Sequence, residues 1–552
     1  MKNNYYRIAA GLIGVTLFIA CGGMNILNVT NIQWFGSGDA AQHWLGWNFF
    51  RNTPILQWPL GVNEPYGMDV SSSIVFTDSI PLLAIIFKTI SFSLPDTFQY
   101  TGIWILTCCI LQGVFSYELI NRNTQDRPYS LLAAVLFCLA PIMLFRMMGH
   151  FALSAHFLII ASFILYGMKN ANKRWVLIIA TSSAIHFYIT GMLLSVFIAY
   201  LIKSLIIKER TIKSVSALFV ATMLTLAATM HALGYFVISD GADGGGFGLY
   251  HMDLNAFINP MYSWVSNLTN PLPHQKLDYE GFAYLGAGVA FIIILGMACL
   301  LKYQDVGKSH IPSFFMCLLL LLFAISNNIS FGGNTVFSFN LPDIASKAAN
   351  IFRSSGRFIW VFIYASLSFF VIYIHKNLNR RSCLIIVAFS CTVQLYDVHG
   401  MLSKVRDRYS EITDMSNGLD NTNINMLMSD KDKIQVVMPI DFYFDWSNIG
   451  YIASKNKASM NFGYMARFSI NAKSKQQKAI FFNLYNGVYD TSTLYLFKDK
   501  WTLNHAIRNI SQKYSVDKIG DYYALSVTGE KFENNNKLGK EDFYQYLYSH
   551  YK

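Results

Sequence analysis

Charge is what this sequence has least of. Of its 552 residues only 14% are charged, against 53% hydrophobic, and the mean hydropathy is positive, +0.34. A soluble chain of this length rarely carries that balance. The apolar residues also fall into long runs, so the sequence reads as a polytopic membrane protein. Cysteine is missing from the polar parts: all eight, Cys21, Cys108, Cys109, Cys138, Cys299, Cys317, Cys383 and Cys391, lie inside apolar runs. That excludes a disulfide framework and a metal knuckle and leaves them as small core hydrophobes. No internal repeat is visible, which argues against a transporter assembled from duplicated halves. The glycine-rich stretch "SDGADGGGFGLYHMDLNAFINP" has no Lys-Ser/Thr to follow it, so it is not a nucleotide P-loop. It reads as a flap over a cavity, with Tyr250, His251 and Asp253 at its edge, or as a plain flexible loop.

What is there is aromatic and basic. Aromatics make up 15%, with Trp and Tyr often near run ends, as interfacial belts require. The net charge of +11 does not point to nucleic acid, because most Lys and Arg sit in short loops between apolar runs or in the polar C-terminal part. Spans are expected near 8–27, 99–120, 130–147, 151–168, 174–188, 190–206, 212–237, 282–301, 311–326, 358–375 and 382–398, about 11 transmembrane helices. The first ends "LFIACGG", which resembles a lipoprotein cleavage site, but Phe18 stands where such sites prefer leucine. An uncleaved first helix is expected.

The positive-inside rule puts Lys2/Arg7, Arg122/Arg127, Lys169/Lys173/Arg174, Lys203/Lys208/Arg210/Lys213, Lys302/Lys308 and Lys376/Arg380/Arg381 on the cytoplasmic side. The apolar stretch 76–92 breaks that parity and contains Asp78 and Pro81, so it reads as a partial or re-entrant helix. The outer loops are then long, 28–98, 238–281 and 327–357, and the working surface lies outside. The chain divides into a transmembrane part, 1–398, and an extracytoplasmic C-terminal α/β domain, 399–552. In that domain "KIQVVMPI" and "TLYLF" read as strands, and "WTLNHAIRNISQKY" and "KEDFYQYLYSHY" as helices, without a catalytic motif.

Chemistry concentrates in the outer loops. In "GSGDAAQHWLGWNFFR", residues 36–51, the turn starts a helix with Asp39 in its first turn. Helical spacing stacks Asp39, Gln42, His43 and Gly46 on one face, while Trp44, Leu45 and Trp47 rest in the membrane interface. The plain alternative is an amphipathic interfacial helix with Asp39 as a cap. Glu64, Asp69 and Asp78 share this loop, and Asp78 stands out as an ionisable group in an apolar segment, or else as a helix cap. In "FRMMGHFALSAH", Arg146, His150 and His156 face one cavity or snorkel to the interface. In "FRSSGRFIW", Arg353 and Arg357 stand at i and i+4 at the outer end of a span, against the positive-inside bias. A lipid-linked phosphate suits their forked geometry, with ordinary headgroups the plain alternative.

The run "GSGDAAQHWLGWNFFR…QWPLGVNEPYGMDVSSSIVFTDSIPLL", together with "APIMLFRMMGHFALSAH", "YEGFAYLGAG" and "FRSSGRFIW", resembles the GT-C superfamily of integral membrane glycosyltransferases, in an uncharacterised bacterial branch. The likeness covers most of residues 30–400 and, more loosely, the tail. It implies a mainly α, polytopic GT-C-like fold in the bacterial inner (cytoplasmic) membrane. It also implies inverting transfer of a sugar, on the outer face, from a polyprenyl-phosphate-linked donor to a cell-envelope glycan, lipid or protein acceptor. In that superfamily the acid of the first outer loop is the catalytic base or a metal ligand, and the matching residue is Asp39. His43 would orient it, bind donor phosphate or complete a metal site, so any divalent metal would sit at Asp39 and His43. Arg353 and Arg357 would hold the donor phosphate, with Asp78, Arg146, His150 and His251 as further cavity residues. Histidines stand where related enzymes often carry a second acid in the hairpin 146–156. The rival functions are a surface-polysaccharide polymerase or ligase and a lipid-linked glycan transporter. The second would need ionisable groups at mid-membrane, and the spans have almost none.

Overall fold

Apolar runs become helices here, the form in which a segment satisfies its own backbone hydrogen bonds. The computed structural model describes residues 2–70, 73–238, 245–305, 307–419, 422–437, 446–535, 537–539 and 541. The chain forms two compact units: one of Met1–Trp34, Thr97–Met230 and Asp243–Glu411, the other of Phe35–Asp96, His231–Ala242 and Ile412–Lys552.

Among the described residues five helices are long and apolar enough to cross a bilayer: Thr101–Thr124, Phe187–Ile206, Ile212–Leu233, Lys308–Ile325 and Ser355–Asn377. A sixth arises if Arg380–Asp397 and His399–Ser410, bent by 50°, form one span, and shorter apolar helices cover Asn4–Ala20, Arg127–Cys138, Phe151–Tyr166 and Ala287–Tyr303. Several of the expected 11 runs are therefore shorter or broken. The run 130–147 is two helices, Arg127–Cys138 and Pro141–Arg146, because Pro141 has no N–H to continue the first. The run 174–188 holds a helix of 12 residues, Asn172–Ser183, about 18 Å at 1.5 Å per residue. In the stretch 76–92 the helix is Pro81–Thr89, nine residues, about 14 Å and too short to cross.

The first unit is held together by small residues and buried amides. Helix Lys2–Ala20 lies against Thr101–Thr124 so closely that a Cβ on Gly14 would come 2.1 Å from the Cys109 carbonyl oxygen, and one on Gly113 2.2 Å from that of Ala10. Glycine lets backbones meet where lipid offers no hydrophobic drive for helices to associate. Arg7 and Arg122 both pair with Glu118 at one end of this helix pair. Further along, the buried Gln394 side chain donates to the carbonyls of Leu139 and Leu285, both at 3.2 Å, and accepts from the Val289 N–H at 3.1 Å. Asp397, also buried, accepts from the Tyr284 hydroxyl and the Ala287 N–H, both at 2.8 Å, and from Ser266.

The second unit is built on a sheet ordered β4-β3-β5-β7-β6, with β3 (Lys433–Val436), β4 (Ser459–Met460), β5 (Thr493–Phe497), β6 (Gln512–Ile519) and β7 (Tyr522–Lys531). A separate hairpin, β1 (Asn328–Phe331) with β2 (Asn334–Ser338), belongs to the first unit. In the second unit β3 runs parallel to β4 and β5, and β7 antiparallel to β5 and β6. Every residue of β5, "TLYLF", is buried, and Phe497, Leu503, Ile480 and Leu525 make the core beside it. The stretch "WTLNHAIRNISQKY" splits: helix Lys500–Arg508 ends and β6 begins at Gln512. Of "KIQVVMPI" the strand covers Lys433–Val436, and residues 438–440 lie outside the described residues. So does "KEDFYQYLYSHY" apart from Glu541.

Residues 35–96 are part of this second unit. Helix Gly38–Phe50 packs on helix Trp446–Lys455, with the Trp44 and Tyr451 rings 6.0 Å apart. The Gln42 amide donates to the Tyr464 carbonyl at 2.8 Å, and the Gly67 N–H to that of Met460 at 2.9 Å. The expectation of an interfacial helix therefore changes: Ala40 to Phe50 are all buried in protein, with Trp44 and Trp47 3% and 1% exposed. Residues 446–464 cover one side of the helix. On another, Thr77 and Ser79 press so close to Gly46 that an added Cβ would lie 2.2 Å from the Thr77 hydroxyl oxygen.

Replacing Gly14 by valine should push the first two helices apart and lower the unfolding temperature of the detergent-solubilised protein, by overpacking worth about 1–3 kcal/mol. Gly149, with nothing within 4 Å of its Cβ direction, should accept alanine unchanged. Equal stability loss at both positions would refute the close-packing account.

Candidate functional site

Three segments of the first unit cross at two glycines. A Cβ on Gly281 would lie 2.2 Å from the His251 carbonyl oxygen, and one on Gly356 2.5 Å from the Cα of Gly281. This contact brings the residues next to the glycines, Glu280 and Arg357, onto each other. Glu280 sits in the short turn Asp278–Gly281, and Arg357 in the turn Ser355–Phe358 that opens helix Ile359–Asn377. Arg146 arrives from the last residue of helix Pro141–Arg146.

Arg357 grips the Glu280 carboxylate with two donors, Nε at 2.8 Å and Nη2 at 2.5 Å. Arg146 gives Nη1 to the same carboxylate at 3.0 Å, and Nη2 to the Tyr279 and Glu280 carbonyls at 3.2 and 3.1 Å. All three side chains are buried. His150 stands 3.8 Å from the carboxylate. The guanidiniums also face rings: Arg357 lies 4.5 Å from the Tyr188 centroid and Arg146 5.1 Å from that of Trp360. Burial by itself would raise the Glu280 carboxyl. The adjacent charges of Arg357, Arg146 and His150 outweigh it and hold the group well below the usual carboxylate range. Two buried guanidiniums thus converge on one buried carboxylate.

Arg353, one turn before Arg357, is only partly buried. It lies 5.7 Å from the Tyr250 ring and makes no hydrogen bond or ion pair with the described residues. Its five N–H donors are available.

His251 belongs to a different arrangement. Ser330 donates its proton to Asp253 at 3.0 Å, so the His251 Nε2, 2.8 Å from the same hydroxyl, must be the donor there. That order is the reverse of nucleophile activation, in which histidine takes the serine proton. Asp253 also accepts from the N–H groups of Gly332 and Gly333 at 3.1 and 3.0 Å, and so clamps the β1–β2 turn. Burial pushes His251 below its ordinary value despite the pull of Asp278 and Asp253. Nδ1 is buried, and backbone groups of Gly248 and Leu249 also act on the ring. His156 is also buried, with Nδ1 at 2.9 Å from the Tyr364 hydroxyl and its ring 4.6 Å from Trp360. Residues 239–244 of the glycine-rich loop lie outside the described residues.

Asp39, His43 and Asp78 are in the second unit. Asp39 is half-buried in the first turn of helix Gly38–Phe50, and His43 is buried one turn on, its carbonyl accepting from Ser79 at 2.8 Å. Asp78 is half-buried with φ +55°, between the buried Thr77 and Ser79. Glu64 and Asp69 are exposed. For a metal, Asp39 and His43 offer two ligands. Among the described residues no group of three or more His, Cys, Asp or Glu side chains is placed to hold an ion, so no step here is routed through one.

A family profile described as "Domain of unknown function (DUF6311)" matches residues 11–399, and its C-terminal domain profile matches 424–527. The chain belongs to the DUF6311 family. No curated protein matches. Among solved structures, the archaeal oligosaccharyltransferase AglB from Archaeoglobus fulgidus, in complex with an inhibitory peptide and a dolichol-phosphate, is similar at 12% identity. The TM-score is 0.46, over 98% of this chain and 77% of that one.

In this DUF6311 chain the structure gathers Arg146, His150 and Arg357 around a residue the sequence reading did not name. Glu280 had a signal in "YEGFAYLG": it is an acid just before an apolar run, where a charge needs a partner. Glu280→Gln leaves two buried guanidiniums facing an amide. It should cost about 3–5 kcal/mol of stability at pH 7. Because the folded-state pKa is depressed, the carboxylate's contribution is complete above its ordinary value near 4.5 and is lost as pH falls through the lower folded value. The gap between wild type and variant should therefore narrow below about pH 4.5, as read by thermal unfolding across pH. A pH-independent gap would remove the ion pair from the explanation.

Proposed function

We propose that this DUF6311 protein is an integral membrane glycosyltransferase. It takes a sugar from a polyprenyl-phosphate-linked donor and passes it to a glycan, lipid or protein acceptor on the outer face of the bacterial inner membrane, with inversion. The observation that carries the reading is the buried Arg146–Glu280–Arg357 cluster, close in sequence to Arg353, whose guanidinium makes no hydrogen bond or ion pair with the described residues. Such a cluster answers a need of this chemistry. A sugar held through a phosphate ester has a good leaving group, and the departing phosphate gathers negative charge that fixed guanidiniums stabilise without reorganising.

The residues divide the work. Arg353 contacts the donor phosphate directly. Arg357, whose Nε and Nη2 both serve Glu280, contributes its charge and holds the cluster's shape, with Arg146 as the second strut. Asp39 is the base that takes the proton from the acceptor hydroxyl, and His43, one turn on, orients it. The C-terminal residues 399–552 lie on the outer side with the long loops, as the charge asymmetry of the short loops requires.

Asp39→Asn should leave expression and membrane insertion intact and lower transfer by roughly 10²–10⁴-fold, the worth of a positioned base. Transfer from radiolabelled lipid-linked sugar in membranes reads this, and activity within a few-fold of wild type would sink the assignment. For the donor site, Arg353→Lys keeps the charge but loses the fork. It should weaken donor use by about tenfold or more, the scale of one charge-assisted hydrogen bond. Unchanged kcat and KM for the donor would leave Arg353 as a headgroup contact.

A further inference from the structure

The three basic segments at one end of the first unit do more than set topology: they enclose a cavity. Its volume is about 690 Å³, and Tyr6, Asn121, Asp126, Arg127, His375 and Arg380 are among the residues lining it. These come from the start of helix Lys2–Ala20, the end of Thr101–Thr124, the start of Arg127–Cys138, the end of Ile359–Asn377 and the start of Arg380–Asp397. Segments far apart in sequence thus meet at a polar pocket at one end of the bundle.

Its charges are unequally engaged. Arg380 holds Asp126 with two donors, Nε at 2.6 Å and Nη2 at 3.1 Å, and His375 stands 3.6 Å from the same carboxylate. The one acid of the lining is therefore already neutralised. Arg127 is not. Its guanidinium lies 5.8 Å from the Tyr6 ring and makes no hydrogen bond or ion pair with the described residues. Five N–H donors on a half-buried side chain stand at an open cavity. Asn121 also lines the pocket.

We propose that this pocket binds a phosphate group, carried by a lipid headgroup or as a free anion, with Arg127 as its principal ligand and the Asp126–Arg380 pair as its wall. Guanidinium matches phosphate oxygens in a bidentate fork. The pocket involves none of the residues assigned to sugar transfer, so it stands or falls independently of that reading.

The test uses the full-length protein in detergent. Native mass spectrometry would follow retention of phosphatidylglycerol against phosphatidylcholine, and a thermal-shift titration would follow inorganic phosphate. Phosphatidylglycerol retention that falls about tenfold or more in Arg127→Gln identifies a lipid headgroup site. A phosphate-induced stabilisation lost in the same variant identifies a free-anion site. Arg122→Gln, at an arginine beside Glu118, should leave both readings unchanged. Should Arg127→Gln not fold, Arg127→Lys keeps the charge and should still weaken binding by losing the fork. Binding of neither probe, or binding equal in wild type and the Arg127 variants, overturns the proposal.

Discussion

One buried carboxylate organises the first unit. Glu280 is taken out of water, which costs several kcal/mol for an ion, and the cost is offset only by two guanidiniums in good geometry. That geometry depends on backbone as much as charge. Gly281 and Gly356 touch each other and the His251 carbonyl, so the turn with Glu280 can lie directly on the turn with Arg357. A side chain at either glycine would separate the ion pair it is meant to support. The turns Asp278–Gly281 and Ser355–Phe358 and the end of helix Pro141–Arg146 meet at this one contact.

The same logic recurs deeper in the helical unit. Between helices that apolar lipid would cover equally well, a few polar side chains and small residues decide which pairs meet. Gln394 ties three elements through one amide. Asp397 receives donors from Ser266, Tyr284 and the start of helix Ala287–Tyr303. The Tyr364 hydroxyl joins Gln112 at 3.1 Å and His156 at 2.9 Å. Each is a buried polar group with its partners supplied, which is how buried polarity specifies rather than destabilises a fold.

The second unit shows a different constraint. Its sheet cannot be read apart from residues 35–96, because helix Gly38–Phe50 is buried on every side from Ala40 onward. The tryptophans that suggested a membrane interface are instead buried in protein, Trp44 beside Tyr451. An aromatic-rich helix carries the same composition whether lipid or protein covers it. Composition alone therefore could not choose between them.

From the sequence alone one could read the apolar, mainly helical character of the chain, the polar α/β part with strands β3 and β5, and the residue types able to handle a phosphate. These follow from local properties: hydrophobicity, periodicity and the chemistry of guanidinium and carboxylate. Only the tertiary structure decided that residues 35–96 join the C-terminal region, and that Arg146 and Arg357 share Glu280 while Arg353 makes no ion pair with the described residues. Those outcomes depend on contacts between residues separated by 77 to 134 positions or more. No local pattern encodes which carboxylate will neutralise which arginine, because charge pairing is settled by the backbone paths that bring them together.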